Sequence, residues 1–202
     1  MTEHTIRGKQ VFTDEIEALQ ALRERLDSAF DQAVEAMRKA IESGHKIIIV
    51  GVGKSGLVGS KIAATLTSTG APSVVLDTMN ALHGDLGIVQ DGDACIAMSY
   101  SGETAELLTL MPFLKRFDMA IISMTGKANS TLGQLSDVVL ETAVEKEADP
   151  LNLAPTSSST AMLVMGDALA VALLEARNFT REDFGRSHPG GSLGKSLLLR
   201  IS

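Results

Sequence analysis

The sequence predicts an α/β protein: a three-layer αβα sandwich with a five-stranded parallel sheet and an N-terminal helix. Three observations carry this. Five short runs rich in apolar, β-branched residues alternate with helical segments, the pattern of successive βαβ units. The runs are continuously apolar, as strands covered on both faces must be. Loops rich in glycine and hydroxyl residues follow the first and third runs, and open parallel sheets bind ligands at such carboxyl strand ends.

Along the chain, residues 1–11 are polar and read as a loose start. From Thr13 to Ser43 the apolar positions Ile16, Leu19, Leu22, Leu26, Phe30, Val34, Met37 and Ile41 recur at spacings of three and four. They predict an amphipathic helix, or two joined end to end, closed by Gly44, so that 12–44 is helical. Strands are predicted at Lys46–Gly51, Ser73–Asp77, Ala94–Ser99, Ala120–Thr125 and Val138–Glu141, with helices near Gly56–Thr69, Glu103–Phe117 and Ser130–Leu135. A long apolar helix follows from Ser157 to Arg177, with Pro155 before it and the hydroxyls of Thr156 to Ser159 as its N-cap region. The chain reads as a single domain, with the α/β core and C-terminal segment over 45–202.

Composition narrows the function. The chain has 202 residues, 45% hydrophobic and 21% charged, enough for a substantial core. Aromatics are 3% of the sequence and Trp is absent, so a base-stacking surface is not expected. A net charge of -7 without a basic patch argues against nucleic acid and anionic membranes as partners. The single Cys95 lies in an apolar run and reads as a core residue. No signal peptide or spanning segment stands out, and a cytoplasmic location is expected.

The loop Gly51-Val52-Gly53-Lys54-Ser55-Gly56 fits G-x-G-x-x-G and contains the Gly-Lys-Ser of a nucleotide loop. The latter needs a glycine five residues before Gly53, where Ile48 stands, so that reading fails. The dinucleotide reading has Asp77 at the end of the second strand as a ribose carboxylate, but Lys54 and Ser55 sit badly in a loop that needs bare backbone. Glycines that merely make a tight strand-to-helix turn remain an alternative. The second loop, Ser99 to Thr104 ("SYSGET"), sets Ser99, Ser101 and Thr104 around Gly102 at a helix start. Free N–H groups and the positive end of the helix dipole make that a phosphate cradle. Two such loops on neighbouring strand ends favour one small phosphorylated ligand over a dinucleotide.

"SYSGET" resembles the S-x-S-G-E-[ST] signature of sugar-isomerase (SIS) domains, which have a flavodoxin-like fold. "GVGKSG", "ALHGDLG", "LAPTSSSTAMLVMGDALAVALL" and "FTREDFGRSHPGGSLGK" are similar, in order, to motifs of the arabinose-5-phosphate isomerases of that family. The resemblance spans roughly Lys46 to Leu199. Two departures stand out. This sequence stops where the family's usual pair of CBS domains would begin, and the family's His-Pro-x-Glu-Ala segment reads "DTMNAL" here, with Asp77 and Asn80 in place of the His and Glu.

The resemblance implies interconversion of D-ribulose 5-phosphate and D-arabinose 5-phosphate through an enediolate, a step toward 3-deoxy-D-manno-octulosonate for lipopolysaccharide. Ser55, Ser99, Ser101 and Thr104 are then phosphate ligands, with backbone N–H groups such as that of Gly53, and His83 contacts substrate hydroxyls. Lys54 stabilises the enediolate or contacts the phosphate. Glu147 is the expected general base, His188 the ring-opening or proton-shuttling partner, and Glu103 completes the catalytic set unless it only complements a helix dipole. The division of labour between Glu147 and His188 stays open. No cofactor and no metal are expected, because Lys54 supplies the positive charge. The family further implies a homotetramer in which His188 reaches a neighbouring subunit's site. The competing reading is a sugar-phosphate sensor that binds without turnover.

Overall fold

The structure is a computed structural model, and it describes residues 2–188. Strands β1 (Ile47–Gly51), β2 (Ser73–Leu76), β3 (Ala94–Met98), β4 (Ala120–Thr125) and β5 (Val138–Glu141) form one parallel sheet in the order β2-β1-β3-β4-β5. Each agrees with its sequence expectation to within one residue at either end. The helices are α1 (Glu3–Glu24), α2 (Ser28–Glu42), α3 (Lys54–Ser68), α4 (Thr78–Ala81), α5 (Ala105–Leu114), α6 (Thr131–Leu135), α7 (Ser157–Ala176) and α8 (Arg181–Ser187), with a 3-10 turn at Asp85–Ile88. The sequence from Pro189 onward, including the Pro-Gly-Gly turn and the end of the last motif, lies outside the described residues.

One expectation is corrected. The stretch 1–11 is not a loose start, because α1 begins at Glu3. Its stability comes from a partner far along the chain: the Arg7 guanidinium bonds the Ala148 carbonyl, and α1 packs along α7. The helical region divides in two, broken after Glu24. Asp27 caps α2 by accepting from Ala29 N at 2.9 Å.

Both faces of the sheet are covered, and the strand period of two sorts side chains between them. Ile47, Ile49, Ala94, Ile96 and Met98 face the layer formed by α2, α3 and α7. Ile48, Val50, Cys95 and Ala97 face α5, α6 and the α4 region. Burial pushes the Cys95 thiol up to about 12, so it stays an inert core residue. At the amino edge of the sheet, the fully buried Asp93 carboxylate accepts from Lys46 N at 3.1 Å and pairs with Lys46 Nζ at 2.9 Å. These bonds fix β1 beside β3, where Ile47 stands opposite Ala94.

By length and apolarity α7 would suffice to cross a membrane. Here it is a core helix: Ala161, Met162, Met165, Leu169, Ala170 and Leu173 are buried against α1, α2 and α3. The α3–α7 contact is close because Gly166 lacks a side chain; a Cβ there would collide with Ile62. Gly166→Val should therefore overpack this contact and cost about 1–3 kcal/mol. The check is urea unfolding, in which the midpoint falls with an unchanged slope. An unchanged midpoint would show that α3 and α7 can separate freely.

Candidate active site

The helix after β1 packs on one face of the sheet, and the helix after β3 on the other. Because β1 and β3 are neighbours, their outgoing loops part and leave a crevice between them, the switch point at which parallel sheets bind ligands. Both loops that the sequence singled out open there.

In the first loop the glycines have distinct physical jobs. A Cβ at Gly56 would lie 2.7 Å from the Gly51 carbonyl oxygen, so strand end and helix start can meet only as bare backbone. Gly53 takes φ 59° and ψ -125°, a conformation open to glycine. Lys54 and Ser55 then form the first turn of α3. The helix has no side-chain cap, so its N-terminal N–H groups face outward.

The second loop is tied internally. Ser99 Oγ lies 2.7 Å from Thr104 Oγ1 and accepts from Gly102 N at 3.1 Å, while Ser101 Oγ accepts from Glu103 N at 3.1 Å. Ser99 is buried and Ser101 is exposed. Thr104 is the N-cap of α5 without capping it by its side chain, so this helix also starts open. Gly102 has φ 69°, and a side chain there would overlap Ser130. Glu103 departs from its expected place. Its carboxylate accepts from Thr131 N at 2.8 Å, at the first residue of α6. That bond holds the carboxyl below the usual carboxylate range. Glu103 thus ties the loop to α6 and does not line the pocket described next.

That pocket, about 490 Å³, is bounded by Lys54, Ser55, Tyr100, Glu147 and Ser158 among others. The Lys54 ammonium makes no hydrogen bond or ion pair among the described residues. Tyr100 Oη accepts from Val144 N at 3.1 Å and so docks the chain after β5 against the loop after β3. Residues 147–156 form a bonded loop in which Asn152 Oδ1 accepts from Glu147 N at 2.7 Å, and Asp149 accepts from the N–H groups of Leu151, Leu153 and Ala154. The loop carries Glu147 to the N-terminus of α7. There its carboxylate accepts from Thr156 N at 2.8 Å, Thr156 Oγ1 at 3.1 Å, Ser158 N at 3.1 Å and the Ser158 hydroxyl. Partial burial alone raises its pKa, but these four donors outweigh burial and hold the carboxyl below its usual range.

So the structure brings Lys54, Ser55 and Glu147 to one pocket, with Gly53 at its rim and the Ser99, Ser101 and Thr104 loop on the next strand end. Two predicted residues lie elsewhere. His83 is exposed just after α4, a helix that packs against α5, and it is not among the residues lining this pocket. His188 closes α8, far beyond the other end of α7: Arg177 bonds the Gly70 carbonyl at 2.7 Å, at the foot of α3. The His188 ring stacks on Phe184 at 3.9 Å, and its Nδ1 lies 2.9 Å from the Phe184 carbonyl. Since a carbonyl only accepts, Nδ1 carries the proton, and Nε2 has no hydrogen-bond partner among the described residues. Asp77 is not a ribose ligand here, because its carboxylate caps α4 at Met79 N and Asn80 N. The residues missed by sequence reasoning are Ser158, Thr156 and Tyr100. The first two stood in a hydroxyl-rich helix start that signalled a cap, but not whose carboxylate would fill it.

The sequence pattern of the SIS domain matches residues 40–172. Arabinose 5-phosphate isomerase KdsD of Pseudomonas aeruginosa is 50% identical over 93% of this chain and 56% of its own length. The protein of the same name from Escherichia coli K12 is 50% identical over 96% of this chain and 58% of its own. This chain thus spans somewhat over half the length of these curated relatives. Among solved structures, a protein of E. coli CFT073 in complex with arabinose 5-phosphate superposes with a TM-score of 0.86 at 40% identity, covering 94% of this chain and all of its own.

The depressed Glu147 pKa carries a stability consequence. A carboxyl whose folded pKa lies below its unfolded value stabilises the fold above the unfolded value, and the gain is lost as pH falls through the folded one. Urea unfolding at a series of pH values should therefore find Glu147→Gln less stable than wild type at pH 7, with the gap closing below about pH 4.3. A gap that stays constant across this range would show that the four donors do not hold the ionised form.

Proposed function

We propose that this chain, which belongs to the SIS domain family, interconverts D-ribulose 5-phosphate and D-arabinose 5-phosphate as an aldose–ketose isomerase. One observation carries the reading: a lysine without an ion-pair partner among the described residues and an ionised carboxylate line the same pocket at the sheet's switch point. Binding a phosphosugar calls only for donors, whereas moving a proton between C1 and C2 calls for a base and a charge to balance the enediolate. The 50% identity to relatives named arabinose 5-phosphate isomerase supports the choice of substrate, as does the arabinose 5-phosphate complex of a 40% identical structure.

The phosphate sits on the open N-termini of α3 and α5, held by Ser55 and by the hydroxyls of Ser99, Ser101 and Thr104. Glu147 removes the C1 proton of the ketose, and negative charge develops on O2. Lys54 balances that charge. Return of the proton to C2, with transfer of the hydroxyl proton from O1 to O2, gives the aldose. A carboxylate with a depressed pKa is fully ionised at neutral pH but a weak base, so the cation contributes much of the driving force by making the sugar C–H more acidic. His188 acts in ring opening or proton shuttling, and it does so in a neighbouring protomer's pocket. Exposed apolar side chains on the outer helices, Phe12 and Ile16 on α1 and Val171 on α7, support a homo-oligomer, for which we propose a tetramer. The product leads to 3-deoxy-D-manno-octulosonate for lipopolysaccharide, in the cytoplasm.

With ribulose 5-phosphate followed by proton NMR, wild type should form the aldose phosphate without added metal. Lys54→Ala and Glu147→Gln should each lose about 100-fold or more in kcat. If the pure protein forms no aldose phosphate, or both variants keep wild-type turnover, the isomerase reading is wrong. For His188, inactive Lys54→Ala and His188→Ala chains should regain activity when mixed and reassembled, since one pocket type then receives both intact residues. Absence of any recovery in verified mixed oligomers would place His188 outside the neighbouring pocket.

A further inference from the structure

The Glu147 carboxylate is held unevenly. Oε2 accepts three hydrogen bonds, from Thr156 N, Thr156 Oγ1 and Ser158 N. Oε1 accepts one among the described residues, from the Ser158 hydroxyl. The donors to Oε2 are rigid. Two are backbone groups at the start of a 20-residue helix, and the Thr156 hydroxyl is itself fixed by Ala148 N, which donates to it at 2.8 Å. A carboxylate pinned through one oxygen can still pivot about that oxygen, and among the described residues only the Ser158 bond stops this pivot. Ser158 is 2% exposed and lines the pocket beside Glu147, so it is placed to do so from within the site.

We infer that Ser158 is a positioning residue for the isomerisation: its hydroxyl aims Glu147 Oε1 into the pocket as the oxygen that takes the substrate proton. This rests on Glu147 being the base in the proposed reaction. Other charged groups around the carboxylate do not substitute for Ser158. Lys54 on α3 and Glu145 and Lys146 on the same loop line the pocket, but none hydrogen-bonds to the Glu147 carboxylate. Lys146 is engaged with Asp14 of α1 at 2.8 Å, Arg7 of α1 bonds the Ala148 carbonyl, and Asp149 is spent on its own loop. The hydroxyl also sets how tightly Oε1 holds a proton, because a donor to the ionised form disfavours protonation and is the largest hydrogen-bonding contribution to the lowered pKa. Ser158 turns about a single χ1 bond, so it keeps Oε1 oriented ahead of substrate and can yield it as substrate arrives.

The test compares wild type, Ser158→Ala and Ser158→Thr. Carbon-13 NMR titration of the Glu147 carboxyl, assigned with Glu147→Gln, should show a midpoint that rises toward the ordinary value in Ser158→Ala and stays low in Ser158→Thr. In the turnover assay Ser158→Ala should lose about tenfold in kcat, with KM within about twofold and the acidic limb of the pH profile shifted upward. Ser158→Thr, which keeps the hydroxyl, should restore kcat and the limb. A Glu147 midpoint that does not move, or a loss carried by KM alone, overturns the role of Ser158 while an active wild type leaves the isomerase reading standing. A wild type that titrates as described but turns over no ribulose 5-phosphate overturns the isomerase reading itself, and the role of Ser158 in isomerisation with it.

Discussion

The close approach of Gly51 and Gly56 is the constraint on which the site depends. Any side chain at Gly56 would press on the Gly51 carbonyl. With both positions bare, α3 begins within a few residues of β1 and its N-terminus opens directly over the sheet edge. The neighbouring β3 sends α5 to the opposite face, and that divergence creates the crevice. Lys54 and Ser55 enter the crevice because they are the first two residues of the helix so placed. A longer, more ordinary strand-to-helix connection would lift the cation and the N–H groups away from the neighbouring loop. The tight turn and the ligand site are therefore one device, and the glycines serve the ligand by serving the backbone.

The second anchor is the N-terminus of α7. Hydroxyl residues precede and open this helix, yet its first turn is capped by a carboxylate that lies nine residues before Thr156 in the chain. Burial and hydrogen bonding pull the Glu147 pKa in opposite directions, and hydrogen bonding wins. The result is an anion secured without a partner cation among the described residues, which leaves Lys54 to answer charge that develops on a ligand. Had Lys54 paired with Glu147 ahead of substrate, the two would have to be separated before reaction. The helix dipole and four donors remove that need.

Much of this was legible in the sequence because parallel strands buried on both faces leave continuous apolar runs, and because helix starts advertise themselves with small polar residues. Thus β1 through β5, and α7 from Ser157, emerge nearly at their observed bounds. What escaped depended on contacts between distant residues. The polar stretch from Glu3 has no periodic apolar face, and it is helical because Arg7 meets Ala148 and α1 lies on α7. Glu103 looked like a site carboxylate from its neighbours, but its destination, Thr131 N, lies 28 residues on. The family motif placed Glu103 in the right loop without saying which way it turns. The four-residue α4 was too short for any period, although Asp77 as its cap explains why that position is not available to a ligand.

The length of α7 bears on how the site is completed. The helix starts as the wall that holds Glu147 and runs 20 residues, about 30 Å, to the foot of α3. His188 lies beyond that end, carried by the seven-residue α8, too short to bring it back to the pocket at which α7 began. Its orientation is nonetheless specified: Phe184 supplies both a stacking surface and the carbonyl that accepts from Nδ1, and Nε2 has no partner among the described residues. A side chain held in one orientation on a capped helix is prepared for a partner, and within its own chain the pocket is out of reach. Under the proposed function the imidazole therefore belongs to another protomer's reaction, so that assembly and catalysis are the same requirement. The rigid α7, which sets Glu147 in one pocket, is also the spacer that keeps His188 out of it.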